Sequence, residues 1–214
     1  MNVITDHLSE FGHGLLLTAE LTLLSLAGAL VAGTVVASMR VSPVRVLRAA
    51  GMAYVEVLQN VPLLVWLVLA VFGLPEIGLM TGLFTTSVVV ISLYQGAYTA
   101  EAVRSGINAV PAGQGEAARA LGLTFTQSLR LVVLPQGLRT VVQPLGNIAI
   151  MTLMNTAMAA AVGVVELTAA ANRVNLAEAT PIWIFVTAGL AYMALSGLFG
   201  LVTGALERKW AILR

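Results

Sequence analysis

The stretch of sequence that decides the fold is residues 104–139, which read RSGINAVPAGQGEAARALGLTFTQSLRLVVLPQGLR. It is the most polar long segment of the chain, and Pro111 and Gly113 are expected to break the helix that enters it. Glu116–Leu121 consists of strong helix formers and predicts a short helix. Gly122 suits the position after that helix, where a left-handed conformation is favoured. The segment therefore predicts a short helix held between two turns.

The residues that follow this turn predict a second helix. Thr124 or Thr126 is suited to its N-cap, because the hydroxyl oxygen accepts a hydrogen bond from an N–H group of the first turn. Pro135 should kink this helix. The short helix before the turn has a face of three alanines that allows close approach by a partner protein. The same pattern fits an amphipathic helix lying on a lipid surface, and the pattern alone leaves both interpretations open.

Outside this segment the chain is too apolar for a soluble protein. It is 58% hydrophobic and only 10% charged, whereas an average soluble domain carries about 25% charged residues. This composition excludes an ordinary soluble enzyme and a nucleic-acid binder. There is no cysteine, and the two histidines both lie near the N-terminus. We therefore expect no disulfide, no thiol catalysis and no metal site.

Five charge-free runs are long enough to cross a membrane, because about 20 apolar residues span the hydrocarbon core. They lack the strict alternation of barrel strands, so we expect helices. The runs are Leu21–Met39, Val57–Pro75, Ile77–Ala100, Thr140–Val165 and Ala179–Leu206. With their flanks they give expected spans of approximately 14–39, 50–73, 79–104, 137–163 and 180–206. Residues 1–20 are expected to form a short tail that leads into the first span, and residues 166–181 a loop with at most one helical turn. Pro62 should kink the second span. The prediction is an all-α membrane protein with five transmembrane helices in one domain, residues 1–214.

The positive charges predict the orientation of these spans. Of the 11 cationic residues, ten lie in three regions that five spans would place on one side: Arg40, Arg45, Arg48, Arg104, Arg119, Arg130, Arg139, Arg208, Lys209 and Arg214. Only Arg173 falls on the other side. Because cytoplasmic loops carry an excess of cations, we expect the N-terminus outside and the C-terminus in the cytoplasm.

The signature of the polar segment resembles that of a known family. Glu116-Ala117-Ala118, then three residues, Gly122, nine residues and Val132-Val133-Leu134-Pro135 resembles the EAA motif of bacterial ABC importer permeases. Val132 replaces the isoleucine that is usual there. Flanking segments resemble the polar amino acid branch of that family: Gly113-Gln114, Leu134-Pro135-Gln136, Pro62-Leu63-Leu64-Val65, Phe72-Gly73-Leu74-Pro75 and Gly96-Ala97-Tyr98-Thr99-Ala100-Glu101. The resemblance covers roughly residues 12–210.

The resemblance implies a type I ABC importer permease fold in a bacterial cytoplasmic membrane. It implies a second permease subunit (a related chain or a second copy), two ATP-binding ABC subunits and an extracytoplasmic amino-acid-binding protein. The cytoplasmic coupling segment would be residues 111–124 and would dock into the ATPase. The residues that this role implies are Glu116, Ala117, Ala118, Arg119 and Gly122.

The chain itself carries no ATPase signature. It has no phosphate-binding Gly-x-x-x-x-Gly-Lys-Ser/Thr loop, and its single lysine is Lys209. We therefore expect a transport subunit that is not an enzyme and has no catalytic residues. We also expect no cofactor in this chain, with ATP and Mg bound by the partner ATPase.

Polar side chains inside two expected spans are candidates for a substrate pathway. Such residues are costly in hydrocarbon unless they face a partner or a cavity. Helical spacing groups them on one face of each span. The candidates are Tyr94, Gln95, Tyr98 and Glu101 in the third span and Asn147, Asn155 and Thr156 in the fourth. Hydrogen bonds between helices that merely hold the bundle together are the alternative for each of them. Glu101 can also pair with Arg104 one turn later.

The substrate prediction is glutamate. Ala102-Val103-Arg104-Ser105-Gly106-Ile107-Asn108, Asn155-Thr156 and Val162-Gly163-Val164 look most like actinobacterial glutamate permeases. Against this, an acidic substrate favours a nearby cation, and all the lysines and arginines of the chain lie outside the five apolar runs. Met154 stands where the family often has lysine. Neutral amides and basic amino acids stay open. The alternative function is an ion-coupled secondary amino acid carrier that would use Glu101 or Glu20.

Overall fold

The structure is a computed structural model and describes residues 3–210, except for the side chains of Leu138 and Trp210. Every regular element in this part of the chain is helical. The α-helices are α1 Val3–Asp6, α2 Leu8–Arg40, α3 Arg45–Gln59, α4 Leu63–Val68, α5 Leu74–Glu76, α6 Leu83–Asn108, α7 Ala112–Ala120, α8 Phe125–Ser128, α9 Leu134–Thr140, α10 Val142–Thr156, α11 Leu167–Glu178 and α12 Pro181–Trp210. Arg214, one of the cations expected on the inner side, lies outside the described residues.

Three helical segments are long and apolar enough to cross a membrane: Leu8–Arg40, Val142–Val162 and Pro181–Lys209. A bent helix pair, Arg45–Gln59 with Leu63–Glu76, gives a fourth if it counts as one span. Helix α6 has 26 residues but is not among these segments. The five spans and the orientation of the termini stay predictions.

The second expected span consists of two helices with a bend of 98° between them. The break lies at residues 60–62, where Pro62 has the extended angles φ −57° and ψ 140°. A proline disfavours helical angles in the residue before it, and its ring cannot continue the preceding helix. Pro62 was expected to kink this span, and the structure shows a sharper break.

Helices α2 and α6 pack along a line of small residues. A Cβ atom on Gly28 would lie 2.3 Å from the Ser92 hydroxyl oxygen. A Cβ on Gly33 would lie 2.4 Å from Thr99 Cβ and 2.8 Å from the Gly96 carbonyl oxygen. The two backbones therefore approach too closely for any larger side chain, as small residues allow in membrane helices. Helix α6 is central, because α2, α3, α4, α9 and α10 all contact it.

Two short π-helical turns interrupt the bundle. One covers Leu69–Gly73 and the other covers Leu129–Val133. Each turn lies just before a proline, Pro75 or Pro135. The ring of a proline clashes with the carbonyl four residues earlier and leaves that carbonyl without its donor, and those carbonyls, of Val71 and Leu131, lie within the two turns. The expected kink at Pro135 therefore takes the form of a widened turn.

Two expectations about segments next to the expected spans were wrong. Residues 1–20 were expected to form a short tail, but α2 already begins at Leu8. Residues 166–181 were expected to form a loop with at most one helical turn, but Leu167–Glu178 is a helix of 12 residues. Its buried residues recur at helical spacing and pack it onto the rest of the chain. They are Leu167, Ala170, Ala171 and Val174.

Candidate functional site

The short helix of the polar segment, α7, begins four residues earlier than predicted. It covers Ala112–Ala120 because Pro111 occupies the N-cap with φ −55° and ψ 136°. Proline is well tolerated at such a position, where the N–H group would have no helical partner. Gly113 was expected to break the preceding helix, but it lies inside α7. The break itself falls at residues 109–111.

The end of α7 has the predicted glycine cap. Gly122 has φ +79°, a conformation that strains residues with a Cβ atom. Its N–H donates to the carbonyl of Arg119 at 2.9 Å, and the N–H of Leu123 donates to the carbonyl of Ala118 at 3.1 Å. These two bonds form a Schellman motif and satisfy carbonyls at the end of the helix. The role of Gly122 in the turn is confirmed.

The second helix begins at Thr124, one of the two predicted caps. The Gln127 N–H donates to the Thr124 hydroxyl oxygen at 3.3 Å, and the Thr124 N–H donates to the Gln127 side-chain oxygen at 2.9 Å. This reciprocal pair is a capping box. Both ends of the turn between α7 and α8 are therefore fixed by local hydrogen bonds.

The predicted coupling residues lie almost entirely at the surface. Glu116, Ala117 and Arg119 are exposed, whereas Ala118 is buried. Two apolar side chains that the sequence analysis did not single out stand beside them: Leu121 is 82% exposed and Phe125 is 57% exposed. Apolar residues on both sides of a capped turn were the available signal. The turn thus presents apolar and charged groups together.

Helix α6 leads into α7, and α9 follows it after the turn and α8. We call α6 and α9 the stems of α7, and they touch through glycines. A Cβ atom on Gly106 of α6 would lie 2.6 Å from the carbonyl oxygen of Gly137 of α9 and 2.3 Å from the Val141 side chain. The Gln136 side-chain NH2 also reaches the Gln114 side-chain oxygen at 3.5 Å. The stems cross with their backbones in contact, so α7 is attached to a closed loop of chain.

Glu101 lies at the centre of an ionic cluster near the end of α6. The Arg104 guanidinium donates to its Oε2 at 2.7 and 3.2 Å, as predicted. Arg40, at the end of α2, pairs with Glu101 Oε1. Arg40 was not predicted as a partner of Glu101, since no local spacing relates two residues so far apart. The pairs engage Glu101, which the carrier alternative would need as a free coupling group.

The other candidates on α6 have contrasting surroundings. The Tyr94 and Tyr98 hydroxyls lie 3.3 Å apart, and their ring centroids are separated by 5.4 Å. Gln95 is fully buried, and neither its side-chain nitrogen nor its side-chain oxygen has a hydrogen-bond partner among residues 3–210. A buried amide without partners costs free energy, so Gln95 is not explained by packing within the chain.

On α10 the three candidates differ in exposure. Asn147 is exposed, Asn155 is half-buried and Thr156 is buried. The Thr156 hydroxyl donates to the Leu153 carbonyl at 2.6 Å, at the point where α10 changes to a 3-10 helix over Ala157–Val162. Helix α10 packs against α6. Within the described part of the chain, no hydrogen bond joins the candidates of one helix to those of the other.

A buried carboxylate that the sequence analysis did not single out ties three helices together. Glu166 is fully buried, and its Oε1 accepts the Ala169 N–H at 2.9 Å, which caps α11. Its Oε2 accepts the Tyr192 hydroxyl of α12 and the Thr18 hydroxyl of α2, the latter at 3.4 Å. Thr18 also accepts the Leu167 N–H at 3.0 Å. An acidic residue before an alanine-rich run was the N-cap signal.

His7 joins the beginning of α2 to the end of α11. Its Nδ1 lies 3.0 Å from a Glu10 carboxylate oxygen, and its Nε2 lies 3.1 Å from a Glu178 carboxylate oxygen. Hydrogen bonds to Glu10 and then to Glu178 raise the pKa of His7 above its ordinary value of 6.5. The protonated imidazole can donate to both carboxylates at once.

The fold is a helical bundle with segments long and apolar enough to cross a membrane. The polar helix α7 is connected to this bundle through α6 and α9, which touch at Gly106 and Gly137. The family model "Binding-protein-dependent transport system inner membrane component" matches residues 29–212. The chain belongs to this family, and the resemblance seen in the sequence is confirmed.

Similar proteins of almost the same length support this assignment. The probable glutamine ABC transporter permease protein GlnM of Bacillus subtilis is 32% identical over 98% of this chain and 97% of its own. The glutamate transport system permease protein GluC of Corynebacterium efficiens is 36% identical over 91% of both chains. The relatives are named as permeases, the membrane subunits of ABC transporters.

Solved structures agree with the fold. The chain superposes on a chain from the crystal structure of an amino acid ABC transporter with histidines, with a TM-score of 0.89, 30% identity and 96% coverage of both chains. A chain of the MetNI methionine ABC transporter in an inward-facing conformation gives a TM-score of 0.74 at 21% identity. The second comparison supports the fold alone.

Proposed function

We propose that this chain is the permease subunit of an ATP-driven importer of a polar amino acid, with glutamate as the substrate. Substrate would cross by alternating access, and separate ATPase subunits would supply the energy. The observation that carries the proposal is the geometry of α7: a capped, exposed helix mounted on two stems that touch each other. A chain from this family without a nucleotide site of its own needs such a mechanical contact.

The coupling residues have distinct roles in this proposal. The exposed Glu116 and Arg119 provide charges for the ATPase surface, and Ala117 allows close contact. Ala118 is buried and packs α7 onto its own chain. Gly122 fixes the turn that brings Leu121 and Phe125 to the surface, where an apolar socket would cover them. A helix lying on lipid would also bury Leu121 and Phe125. On lipid, however, the exposed Glu116 and Arg119 would have no protein surface to contact.

The topology in the proposal has five spans, with the N-terminus outside and the C-terminus in the cytoplasm. Helix α6 supplies the fifth span beside the three apolar segments and the bent pair. Its length of 26 residues corresponds to about 39 Å at 1.5 Å per residue, enough for the hydrocarbon core. The Gln95, Glu101 and Arg104 side chains explain why α6 is less apolar than the other segments. The membrane would be the bacterial cytoplasmic membrane.

The substrate pathway in the proposal runs along α6 and α10. The buried amide of Gln95 supports it best, because an unpartnered donor and acceptor in the core need a ligand, water or a changed conformation. Tyr94, Tyr98, Asn147, Asn155 and Thr156 would provide further polar groups. Glu101 would close the cytoplasmic end through its ion pairs.

Glutamate is the finer part of the proposal. Two of the similar permeases are named for glutamate, while others are named for glutamine, cystine and arginine. An acidic substrate needs positive potential, and the pathway residues are neutral apart from Glu101. Helix dipoles, amides or the second permease subunit would therefore supply the counter-charge.

The proposed assembly contains this chain, a second permease subunit, two ATP-binding ABC subunits and an extracytoplasmic amino-acid-binding protein. ATP and Mg would be held by the ATPase subunits, and this chain would carry no cofactor of its own. No nucleic acid is involved.

Purification of the tagged chain from its native host in mild detergent tests this proposal, with native mass spectrometry as the readout. We expect two permease subunits, two ATPase subunits and, where it is retained, one bound amino acid. Bound glutamate would support the substrate prediction. A different bound amino acid would contradict glutamate as the substrate while leaving the importer proposal intact. A chain that stays without an ATPase even after cross-linking in intact membranes would contradict the coupling proposal.

A further inference from the structure

Two cavities flank helix α11 and share one charged residue. The first has a volume of about 440 Å³ and lies between α11, the 3-10 turns after α10 and the side chain of Phe185 on α12. The second has a volume of about 360 Å³ and lies between α11 and the beginning of α2. Arg173 and Val165 line both cavities. Both volumes fall within the range of about 300–1,000 Å³ that is typical of small-molecule sites.

The Arg173 side chain is free to bind a ligand. It is exposed, and its guanidinium makes no hydrogen bond or ion pair with any of residues 3–210. Two carboxylates next to the cavities have other partners. Glu10, which lines the second cavity, pairs with His7, and Glu166 is buried and accepts the Tyr192 hydroxyl. The positive charge of Arg173 is therefore not neutralised by an ion pair within this part of the chain.

The first cavity suits a carboxylate group. Among the described residues that line it, Arg173 is the only charged one. Asn172 lines it too, and its side-chain amide makes no hydrogen bond to any of residues 3–210. A guanidinium can bind a carboxylate through two parallel N–H bonds, and an amide adds a further donor. A cation and an amide donor without an acidic wall favour an anionic group over a cationic one.

The first cavity also lies at one end of the proposed substrate pathway. Its wall includes Ala160 and Ala161, in the 3-10 turns that continue α10. Ala160 is four residues after Thr156, or about 8 Å at 2.0 Å per residue of a 3-10 helix. In the proposed topology this end of α10 and the following helix α11 lie on the outer side of the membrane. A ligand held here would be next to the pathway on the side from which an importer receives its substrate.

We propose that Arg173 and Asn172 form a site, the Arg173 site, that receives a carboxylate of an acidic amino acid before it enters the pathway along α6 and α10. The inference rests on the proposed function and deepens it, because it names a cation of this chain that favours glutamate. An acidic side chain of the extracytoplasmic binding protein is the other anion that could reach Arg173. The position of Arg173 in the walls of two cavities of small-molecule size favours the free amino acid.

Protection of a cysteine from labelling tests the Arg173 site, because the chain has no cysteine of its own. Ala161→Cys places a thiol in the wall of the first cavity, and Ala169→Cys is a second reporter in the same wall. Ala177→Cys is the matched control, since it makes the same change at an exposed position of α11 that lines neither cavity. The importer is made in a host without its binding protein, and a membrane-impermeant thiol reagent is added to the outer face.

We expect L-glutamate to slow the labelling of both reporters and to leave Ala177→Cys unchanged. L-Arginine at the same concentration should not protect, because its additional positive charge would face Arg173. With Arg173→Gln, the glutamate concentration that gives half-protection should rise about tenfold or more, since a hydrogen-bonded charge pair is lost. Arg173→Lys keeps the charge and should retain most of the protection.

Equal protection by glutamate and arginine, protection that Arg173→Gln leaves unchanged, or no labelling of either reporter from the outer face would each overturn the inference. So would protection that needs the binding protein and is equal with and without glutamate, because Arg173 would then contact that protein. ATP-driven glutamate uptake and co-purification of the ATPase are scored in parallel. Uptake of glutamate without protection of the reporters contradicts the Arg173 site alone, whereas a chain without an ATPase contradicts the proposed function.

Discussion

Two short helices outside the apolar spans, α7 and α11, are attached to the molecule in opposite ways. Helix α7 has nine residues and one buried residue, Ala118. Helix α11 has 12 residues and four buried residues, and its cap Glu166 is also buried. The first is held at its ends by turns and stems, whereas the second is held along its length by the core.

The difference separates two kinds of stability. Most of the stability of a helix in a protein comes from packing of an apolar face, which α11 has and α7 lacks. Helix α7 depends on local hydrogen bonds at its two turns, so its exposed face is available for another protein. Variants of α7 should therefore reduce transport, whereas variants of α11 should reduce the free energy of unfolding.

The largest expected effect is loss of transport in Gly122→Val. The position has open space around it, so the harm comes only from placing a β-branched residue at φ +79°, where a left-handed conformation costs about 1–2 kcal/mol. The Schellman turn should open and uptake should be abolished while membrane insertion is kept. Gly122→Asn is the matched control, because asparagine tolerates this conformation. Normal uptake by the valine variant would contradict the coupling role of α7.

Loss of the α11 cap should act on stability instead. Glu166→Ala removes a cap and leaves the Ala169 N–H, Tyr192 and Thr18 without their acceptor, which costs roughly 2–4 kcal/mol of unfolding free energy. Thermal unfolding of the purified chain in detergent measures this loss. Glu166→Gln keeps an acceptor oxygen and should lose less. An alanine variant as stable as the parent would show that α11 is held by apolar packing alone.

The crossing of the stems should respond to a single methyl group. In Gly106→Ala the new Cβ meets the Gly137 carbonyl and the Val141 side chain, and overpacking of this kind costs about 1–3 kcal/mol. Gly113→Ala, inside α7, has nothing within 4 Å and should gain about 0.5–1 kcal/mol, because alanine favours a helix. Thermal unfolding of the two variants should therefore shift in opposite directions. Equal shifts would mean that the stems do not pack as described.

The smallest effect concerns pH at the attachment of α11 to the beginning of α2. The pKa of His7 is raised by Glu10 and Glu178, so the ion pairs are fully present below pH 6.5 and are lost as pH rises through the raised pKa. Histidine NMR titration should find this raised pKa. Glu178→Gln should lower it towards 6.5, and Glu76→Gln should leave it unchanged. A His7 pKa of 6.5 in the parent would show that the pairs do not form in solution.

The sequence predicted α7 better than α11 because the signals for α7 are local. Gly122 and Thr124 fix their turns through contacts within four residues, so the local sequence placed Gly122 correctly and narrowed the cap to Thr124 or Thr126. The beginning of α7 was missed because Gly113 and Gly115 have low helix propensity, although Pro111 starts the helix at Ala112. Helix α11 was missed because its stability depends on packing against distant helices. Its buried residues recur at helical spacing, but the segment lies between two charge-free runs and was expected to be a loop.

The contacts of the candidate site also divide into local ones, which the sequence predicts, and long-range ones, which it does not. The pair of Glu101 with Arg104 follows from helical spacing and was predicted. The pair with Arg40 brings together the ends of α2 and α6, and the Gly106–Gly137 crossing joins α6 to α9; neither has a local signal. The unpartnered amide of Gln95 is a property of the folded core and could only be found there.

The widened turn at Leu129–Val133 has a consequence for the phase of the helix that follows. One additional residue in a turn rotates everything after it by about 100°, since an α-helix has 3.6 residues per turn. The phase of α9 relative to α8 is therefore set by this insertion, and it points Gly137 at Gly106. If the same residues continued as a regular α-helix, Gly137 would be rotated away from the crossing by about 100°. The spacing between Gly122 and Pro135 thus works as an angular setting for the stem as well as a length.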